Sequence, residues 1–360
     1  MASVLTNAPF ASGIVVYCRA GFESEAAQEL DATAAEAGVA GFARTERNAG
    51  FAEFVLTQQG APDALLRLLG WSRLIFARQS LAVIGQFKAL PREDRLTPLL
   101  AALPAGFQVG DVWVETPDTD ASKPLTAFCR SLNNAFVQQL RRNGALDPRS
   151  PWRLHALFPT GERCLLGLAL IDHSAPWHQG IPRLKFPRDA PSRSTLKLDE
   201  ALQVLLSAGE RERWFKPGMS AVDLGAAPGG WTWQLVRRGL HVTAVDNGPM
   251  DEALMASGLV AHKREDGFRF QPRQRVEWMV CDMVEQPRRV AARMAEWLAA
   301  GWCHRSVFNL KLPMKKRYAE VRQAFDAMHA TVGAAGRDLE IRAKQLYHDR
   351  EEITVFAQTR

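Results

Sequence analysis

The stretch that most constrains this 360-residue chain is AVDLGAAPGGWTWQLVRRG at residues 221–239, where a short apolar run ends in an acid and a glycine and passes at once into a helical pattern. Gly225 can take the positive φ of a sharp strand-to-helix turn, and Gly229 and Gly230 carry no side chain to block a ligand from the backbone. Pro228 stiffens the turn. Ala227 stands where a G-x-G-x-x-G dinucleotide pattern has its middle glycine, so a pyrophosphate cradle is disfavoured. The next apolar run, HVTAVD, ends at Asp246, about 20 residues on, where doubly wound sheets place an acid on ribose hydroxyls. Together these features predict a nucleoside-bearing cofactor at the edge of a mostly parallel sheet.

The length leaves room for two or three domains with ample core. With 23% charged and 47% hydrophobic residues the chain has a soluble globular profile. No run approaches the roughly 18 apolar residues of a membrane span, and the N-terminal MASVLTNAPFASG lacks a basic segment before an apolar one. Cytoplasmic location is the resulting expectation. Five scattered cysteines, Cys18, Cys129, Cys164, Cys281 and Cys303, form no C-x-x-C pair and read as buried thiols. His173 and His178 fall in a Pro- and Gly-containing stretch and read as polar loop residues, so no metal site is expected.

The net charge of +6 is concentrated: residues 121–200 hold twelve Lys or Arg against six acids, an excess equal to that of the whole chain. Phe128, Phe136, Trp152, Trp177 and Phe186 lie among these cations and are candidates for stacking on unpaired bases. The other reading is a solvated basic face with core aromatics.

Periodicity divides the chain further. Residues 1–75 read as strand, helix, hairpin and helix, and SRLIFARQSLAVI as a further strand, the pattern of a ferredoxin-like unit. Residues 76–172 follow with a helix, a strand, a long helix from about Leu125 to Arg142 and a hairpin turning at Pro159, Thr160 and Gly161. Residues 173–193 are a basic, Pro-rich linker. Residues 194–360 alternate helix and strand and predict a doubly wound, mostly parallel sheet with an antiparallel last strand.

Ligands in such sheets bind at the carboxyl ends of strands. Besides Asp223 and Asp246, this points to Asp282 ending EWMVCD, to Lys311 ending SVFNLK, and to Glu351 opening the last strand. Ser194 is a candidate N-cap, with Lys197 one turn later on the same helix face.

DLGAAPGGW followed by AVDNG resembles the S-adenosylmethionine site of Rossmann-like methyltransferases, in particular the FtsJ-like RNA 2′-O-methyltransferases. In chain order, Lys197, Asp282, Lys311 and Glu351 match that family's Lys-Asp-Lys-Glu tetrad. Glu352 is the alternative acid, since neighbouring strand residues face opposite ways and only one can enter the cleft; Glu351 suits the register of DREEITVF better. The ferredoxin-like unit joined to a basic module ahead of a methyltransferase looks like a THUMP RNA-binding arrangement. Over nearly the full length, SRSTLKLDEA, DLGAAPGGW and FNLKLPMKKR look like the bacterial large-subunit ribosomal RNA methyltransferase M family.

That resemblance implies S-adenosylmethionine as cofactor and 2′-O-methylation of a cytidine in the peptidyl-transferase region of 23S rRNA, free or in an early precursor particle, with no membrane and no obligate protein partner. It places the cofactor's methionine part and ribose against Ser194, Ala227, Pro228, Gly229 and Gly230, beside Gly225 and Asp223. The free amides of the following helix would face the cofactor carboxylate. Asp246 would hold the adenosine ribose, and Asp282 would also face the methionine end. Asp266 would hold the adenine amino group or serve as a turn residue. Lys311 is the candidate base, its ammonium form disfavoured by a second ammonium at Lys197. Lys185, Arg188, Lys315, Lys316 and Arg317 are candidate phosphate contacts. MVEQP after Asp282 departs from the alanine and proline that many FtsJ-like proteins carry there. The competing readings are a non-catalytic RNA-binding assembly factor, which four tetrad residues disfavour, and a small-molecule O-methyltransferase, which the basic stretch disfavours.

Overall fold

The computed structural model describes residues 8–360, so the opening MASVLTN, part of the segment read above for a leader, lies outside the described residues. The chain folds as two units, one ending at Ile181 and the other spanning Pro182–Arg360. None of the helices described is long and apolar enough to cross a membrane.

In the first unit, β1 (Ala11–Tyr17), α1 (Glu23–Glu36), β2 (Gly41–Thr45), β3 (Phe51–Gly60), α2 (Pro62–Leu69) and β4 (Gln79–Phe87) follow in order. Their strands lie in the order β2-β3-β1-β4 and pair antiparallel, the expected ferredoxin-like arrangement. β4 begins later than SRLIFARQSLAVI suggested. The buried Glu29 accepts the amides of Ile75 at 2.6 Å and Phe76 at 2.9 Å, which removes those donors from any ladder.

The sheet does not end at β4. After α3 (Leu96–Ala101) come β5 (Asp111–Glu115), α4 (Thr126–Arg142), β6 (Trp152–Leu157) and β7 (Cys164–Leu170). β7 pairs with β4, completing one seven-stranded sheet, β2-β3-β1-β4-β7-β6-β5, across the boundary expected near residue 75. Several cations and aromatics of the basic stretch belong to its core. Trp152 and Phe136 are fully buried, and Arg153 is buried with its guanidinium 3.0 Å from Asp111 and 3.7 Å above the Trp113 ring. Arg163 pairs with Glu46 and Glu53. Of the five aromatics considered for stacking, Phe186 is the exposed one.

Glu115 gathers the polar interior of this unit. Its buried carboxylate accepts from the Tyr17 hydroxyl at 3.1 Å and the Gln179 amide at 2.7 Å, and meets His155 Nδ1 at 3.0 Å and His178 Nδ1 at 3.2 Å. Residues 178–180, read as linker, are thus fastened to this unit. Burial pushes the Glu115 carboxyl up, but hydrogen bonds from His155 and His178 outweigh it and bring it down from 4.5 to about 2. A depressed carboxyl stabilises the fold above its unfolded value and loses that contribution as pH falls through the folded one. Glu115→Ala, which leaves these donors unpaired, should cost roughly 1–3 kcal/mol. Chemical unfolding at neutral pH and at stepped acid pH checks both: the wild type should weaken from near pH 4.5 towards about 2, and the variant should lose that part of the slope.

The second unit opens with α5 (Thr195–Leu205) and α6 (Ala208–Trp214). The break falls at Ser207, whose hydroxyl accepts the Glu210 amide at 3.2 Å while the Glu210 carboxylate accepts the Ser207 amide at 2.7 Å. Such a reciprocal cap starts a helix rather than continuing one. Then come β8 (Ser220–Leu224), α7 (Gly230–Val236), β9 (His241–Val245), α8 (Glu252–Met255), β10 (Val260–Lys263), β11 (Val276–Cys281), α9 (Pro287–Ala299), β12 (Cys303–Lys311), α10 (Arg317–Ala334), β13 (Leu339–Lys344) and β14 (Glu352–Thr359). The sheet order is β10-β9-β8-β11-β12-β14-β13. β10 through β12 run parallel, and β14 is antiparallel to both its neighbours, as a Rossmann-like methyltransferase sheet with a reversed last strand requires. Leu198, Ala201, Leu202 and Leu205 of α5 pack on Trp278, Val280 and Phe356 of the sheet. Each such buried leucine contributes roughly 1.5–3 kcal/mol. All five cysteines are free and buried, and burial pushes the Cys281 and Cys303 thiols up to about 12.

Candidate active site

The β8–α7 turn carries the glycine pattern. Gly225 and Gly229 have φ of +79° and +121°, values that favour glycine. A Cβ on Gly230 would lie 2.1 Å from Ser194 Oγ and 2.5 Å from Ser192 Oγ, so only glycine lets the start of α5 close on this turn. Ser194 precedes α5 as expected, but its hydroxyl pairs with Ser192 at 2.7 Å instead of capping the helix. Asp246 accepts the Ala227 amide at 3.0 Å and the Gly248 amide at 2.7 Å, holding the turn against the end of β9.

Asp223 sits behind the turn. It is buried and accepts the Thr232 hydroxyl at 2.6 Å, tying β8 to α7. Burial pushes its carboxyl up to about 7, with the charges of Asp282 and Asp246 adding to the effect. Three neighbouring carboxylates, two of which raise the third, mark a region that favours a cation, and a glycine cradle beside them suits a sulfonium joined to a nucleoside. Asp266 is exposed and accepts the Phe268 amide at 2.8 Å.

The four charged groups of the cleft come from three neighbouring strand ends and one helix. Lys197 Nζ lies 2.6 Å from Glu352 Oε1 and 3.3 Å from Asp282 Oδ2. Lys311 Nζ pairs with Glu352 and stands 3.5 Å from Asp282 Oδ1. The acid is therefore Glu352 and not Glu351. Lys311 lies directly across the β12–β14 ladder from Glu352, which places both on one face. Glu351, one residue out of phase, is exposed, and its carboxylate takes Arg317 at 2.5 Å. This pairing also occupies Arg317, which was expected on phosphate. Lys315 and Lys316 are exposed.

Each lysine faces two carboxylates, so counter-charge stands between the two ammonium sites. Burial lowers the pKa of Lys197, but Asp282 and Glu352 more than compensate and the net shift is upward. Lys197 is the fixed cation of the cluster.

Three supporting residues escaped the sequence reading. Asn309, two before Lys311 on the same strand face, donates to Asp282 Oδ1 at 2.8 Å and accepts the Thr354 hydroxyl at 2.7 Å. Thr354 stands opposite Asn309 as Glu352 stands opposite Lys311. Glu200, one turn beyond Lys197, accepts the amides of Tyr347 at 2.8 Å and His348 at 2.9 Å and so ties α5 to the segment leading into β14. Period two within NLK could have flagged Asn309; Glu200 left no local signal. Asn309→Ala should cost roughly 1–3 kcal/mol through the unpaired hydrogen bonds and slow methyl transfer about tenfold by loosening Asp282. Thermal unfolding and single-turnover rates test the two parts, and an unchanged rate would remove Asn309 from the positioning set.

Comparison with known proteins places this geometry. Residues 11–81 match the RlmM ferredoxin-like domain, residues 94–170 the N-terminal model of ribosomal RNA large subunit methyltransferase M, and residues 190–312 the FtsJ-like methyltransferase model. The ribosomal RNA large subunit methyltransferases M of Xanthomonas campestris pv. campestris (strain B100) and Xanthomonas oryzae pv. oryzae (strain PXO99A) are each 55% identical over 350 residues, 96% of this chain and 99% of theirs. The chain belongs to the ribosomal RNA large subunit methyltransferase M family. The TrmN crystal structure from Thermus thermophilus covers 97% of this chain and 99% of its own at 18% identity and a TM-score of 0.38. Membership of the methyltransferase M family makes S-adenosylmethionine the cofactor, in agreement with the acidic, glycine-lined turn between β8 and α7.

Proposed function

We propose that this rRNA methyltransferase transfers the methyl group of S-adenosylmethionine to the ribose 2′-oxygen of a cytidine in the peptidyl-transferase region of 23S rRNA, on free RNA or an early precursor particle. The observation that carries the reading is the alternation of two lysines and two carboxylates, from the ends of β11, β12 and β14 and the first turn of α5, beside the glycine turn. The family resemblance supports the ribose and the cytidine.

S-adenosylmethionine supplies a methyl group already activated by a sulfonium, so the chain's own work is to align a weakly acidic alcohol and take its proton. Alignment can contribute on the order of 7–11 kcal/mol and a positioned base roughly 10²–10⁴-fold. Ser194, Gly225, Ala227, Pro228, Gly229, Gly230 and Asp246 hold the cofactor, and Asp282 faces both it and the lysines. Asp223 acts from behind, through Thr232. Asp266 either meets the adenine or serves its own turn. Lys311, as the neutral amine, accepts the hydroxyl proton on Nζ and becomes an ammonium, while Lys197 stays charged, and Asp282 and Glu352 hold the two lysines in place. Lys185, Arg188, Lys315 and Lys316 offer phosphate contacts.

The test is incubation with labelled S-adenosylmethionine and rRNA from a strain lacking the gene, followed by mapping of the label and alkaline digestion. Alkali-resistant label at one cytidine of 23S rRNA supports the reading. Label on a base, or none despite cofactor binding, refutes it and favours respectively another rRNA methylation or an assembly factor.

A further inference from the structure

Among the described residues, the exposed large hydrophobic side chains are Phe10, Phe42, Phe186, Val284 and Met314. The two most exposed, Val284 at 86% and Met314 at 80%, each stand within three residues of a cleft side chain. Val284 follows Asp282 past the end of β11, and Met314 follows Lys311 past the end of β12. These strands are parallel neighbours, so both loops leave the same edge of the sheet side by side.

The residue between Asp282 and Val284 behaves differently. Met283 is packed beneath the glycine turn: its Cγ would lie 2.6 Å from a Cβ on Gly225, and its Sδ 2.9 Å from one on Gly267. The sequence MV thus sends one apolar side chain inward and the next into water. On the other loop, Met314 is followed by the exposed Lys315 and by Lys316, whose φ of 58° turns the chain sharply into α10.

We propose that Val284 and Met314 are substrate-positioning residues that take the place of the target nucleotide's stacking neighbours, so that its unstacked base rests against them while its 2′-hydroxyl reaches Lys311. The inference rests on the ribose-methylation reading. Sequence-specific recognition of RNA targets unstacked bases splayed out against side chains, and apolar side chains inserted between base steps are a recurrent means of separating a base from its stack. Apolar side chains standing in water beside a cleft are uncompensated until such a surface covers them. Lys315 and Lys316 supply the complementary charge for the flanking phosphates. Neither Val284 nor Met314 can read the hydrogen-bonding edge of a base, so the pair sets rate rather than base identity.

The double variant Val284→Ser, Met314→Ser tests this, with single-turnover methylation of a 23S rRNA transcript at saturating RNA as the readout. Both positions are exposed, so thermal unfolding and calorimetric S-adenosylmethionine affinity should match the wild type. The saturated rate should fall roughly tenfold or more, the order expected when a base loses its stacking partners. Val284→Ile with Met314→Leu should keep the wild-type rate. A wild-type saturated rate in the serine variant, including one reached only at higher RNA concentration, overturns the positioning role and leaves the methylation reading standing. A wild-type protein that labels no ribose oxygen overturns both.

Discussion

Lys311→Ala lowers single-turnover methyl transfer by about 10³-fold or more, with cofactor affinity preserved, if Lys311 takes the hydroxyl proton and also fixes its position. The fold should survive, because Glu352 keeps its contact with Lys197 at 2.6 Å. Lys311→Arg separates the two roles a lysine could play. A guanidinium keeps the positive charge and the carboxylate contacts but does not give up a proton near neutral pH. The arginine variant should therefore be as inactive as the alanine one. Substantial activity with arginine would make Lys311 an electrostatic support and send the proton elsewhere.

Exchanging the two adjacent acids should give sharply unequal results. Glu352→Gln removes the charge that both lysines share, and methyl transfer should drop roughly 10²-fold or more with a stability loss of about 1–3 kcal/mol. Glu351→Gln weakens only a pairing with Arg317 in which the glutamate side chain is 55% exposed, against 5% for Glu352. Surface pairs of that kind contribute about 0–1 kcal/mol, so its rate and melting temperature should stay near wild type. Rates and melting curves for both variants decide the matter. Equal losses, or a larger loss at Glu351, would contradict the register of β14.

These residues also show what a sequence can disclose. The glycine turn was legible because its demand is local: positive φ at Gly225 and close approach at Gly230 can be met by glycine alone. Asp246, Asp282 and Lys311 were legible because each terminates an apolar run at the strand edge where ligands lie. Glu351 was preferred to Glu352 because the parity of a strand is set by its partner, here the Lys311–Glu352 pairing, and the two glutamates are alike in sequence. The basic stretch overstates its free charge for a related reason. Composition counts Arg153 and Arg163 as free cations, whereas Asp111, Glu46 and Glu53 neutralise them from distant parts of the chain. Ferredoxin-like order could be anticipated in the first four strands, yet the pairing of β4 with β7 joins segments some eighty residues apart and has no local trace.

β14 enters the sheet between β12 and β13, although it follows both in the chain. β13 consequently has no neighbour to pair with until β14 has passed between it and β12. The half of the sheet that holds Gly225 and Asp246 rests on β8, β9 and β10, which form from nearby segments and need nothing from β14. Chains with low sequence separation between contacts assemble sooner than those awaiting distant ones. Within this unit, a folding molecule should therefore form the glycine turn before it brings Glu352 against Lys197 and Lys311.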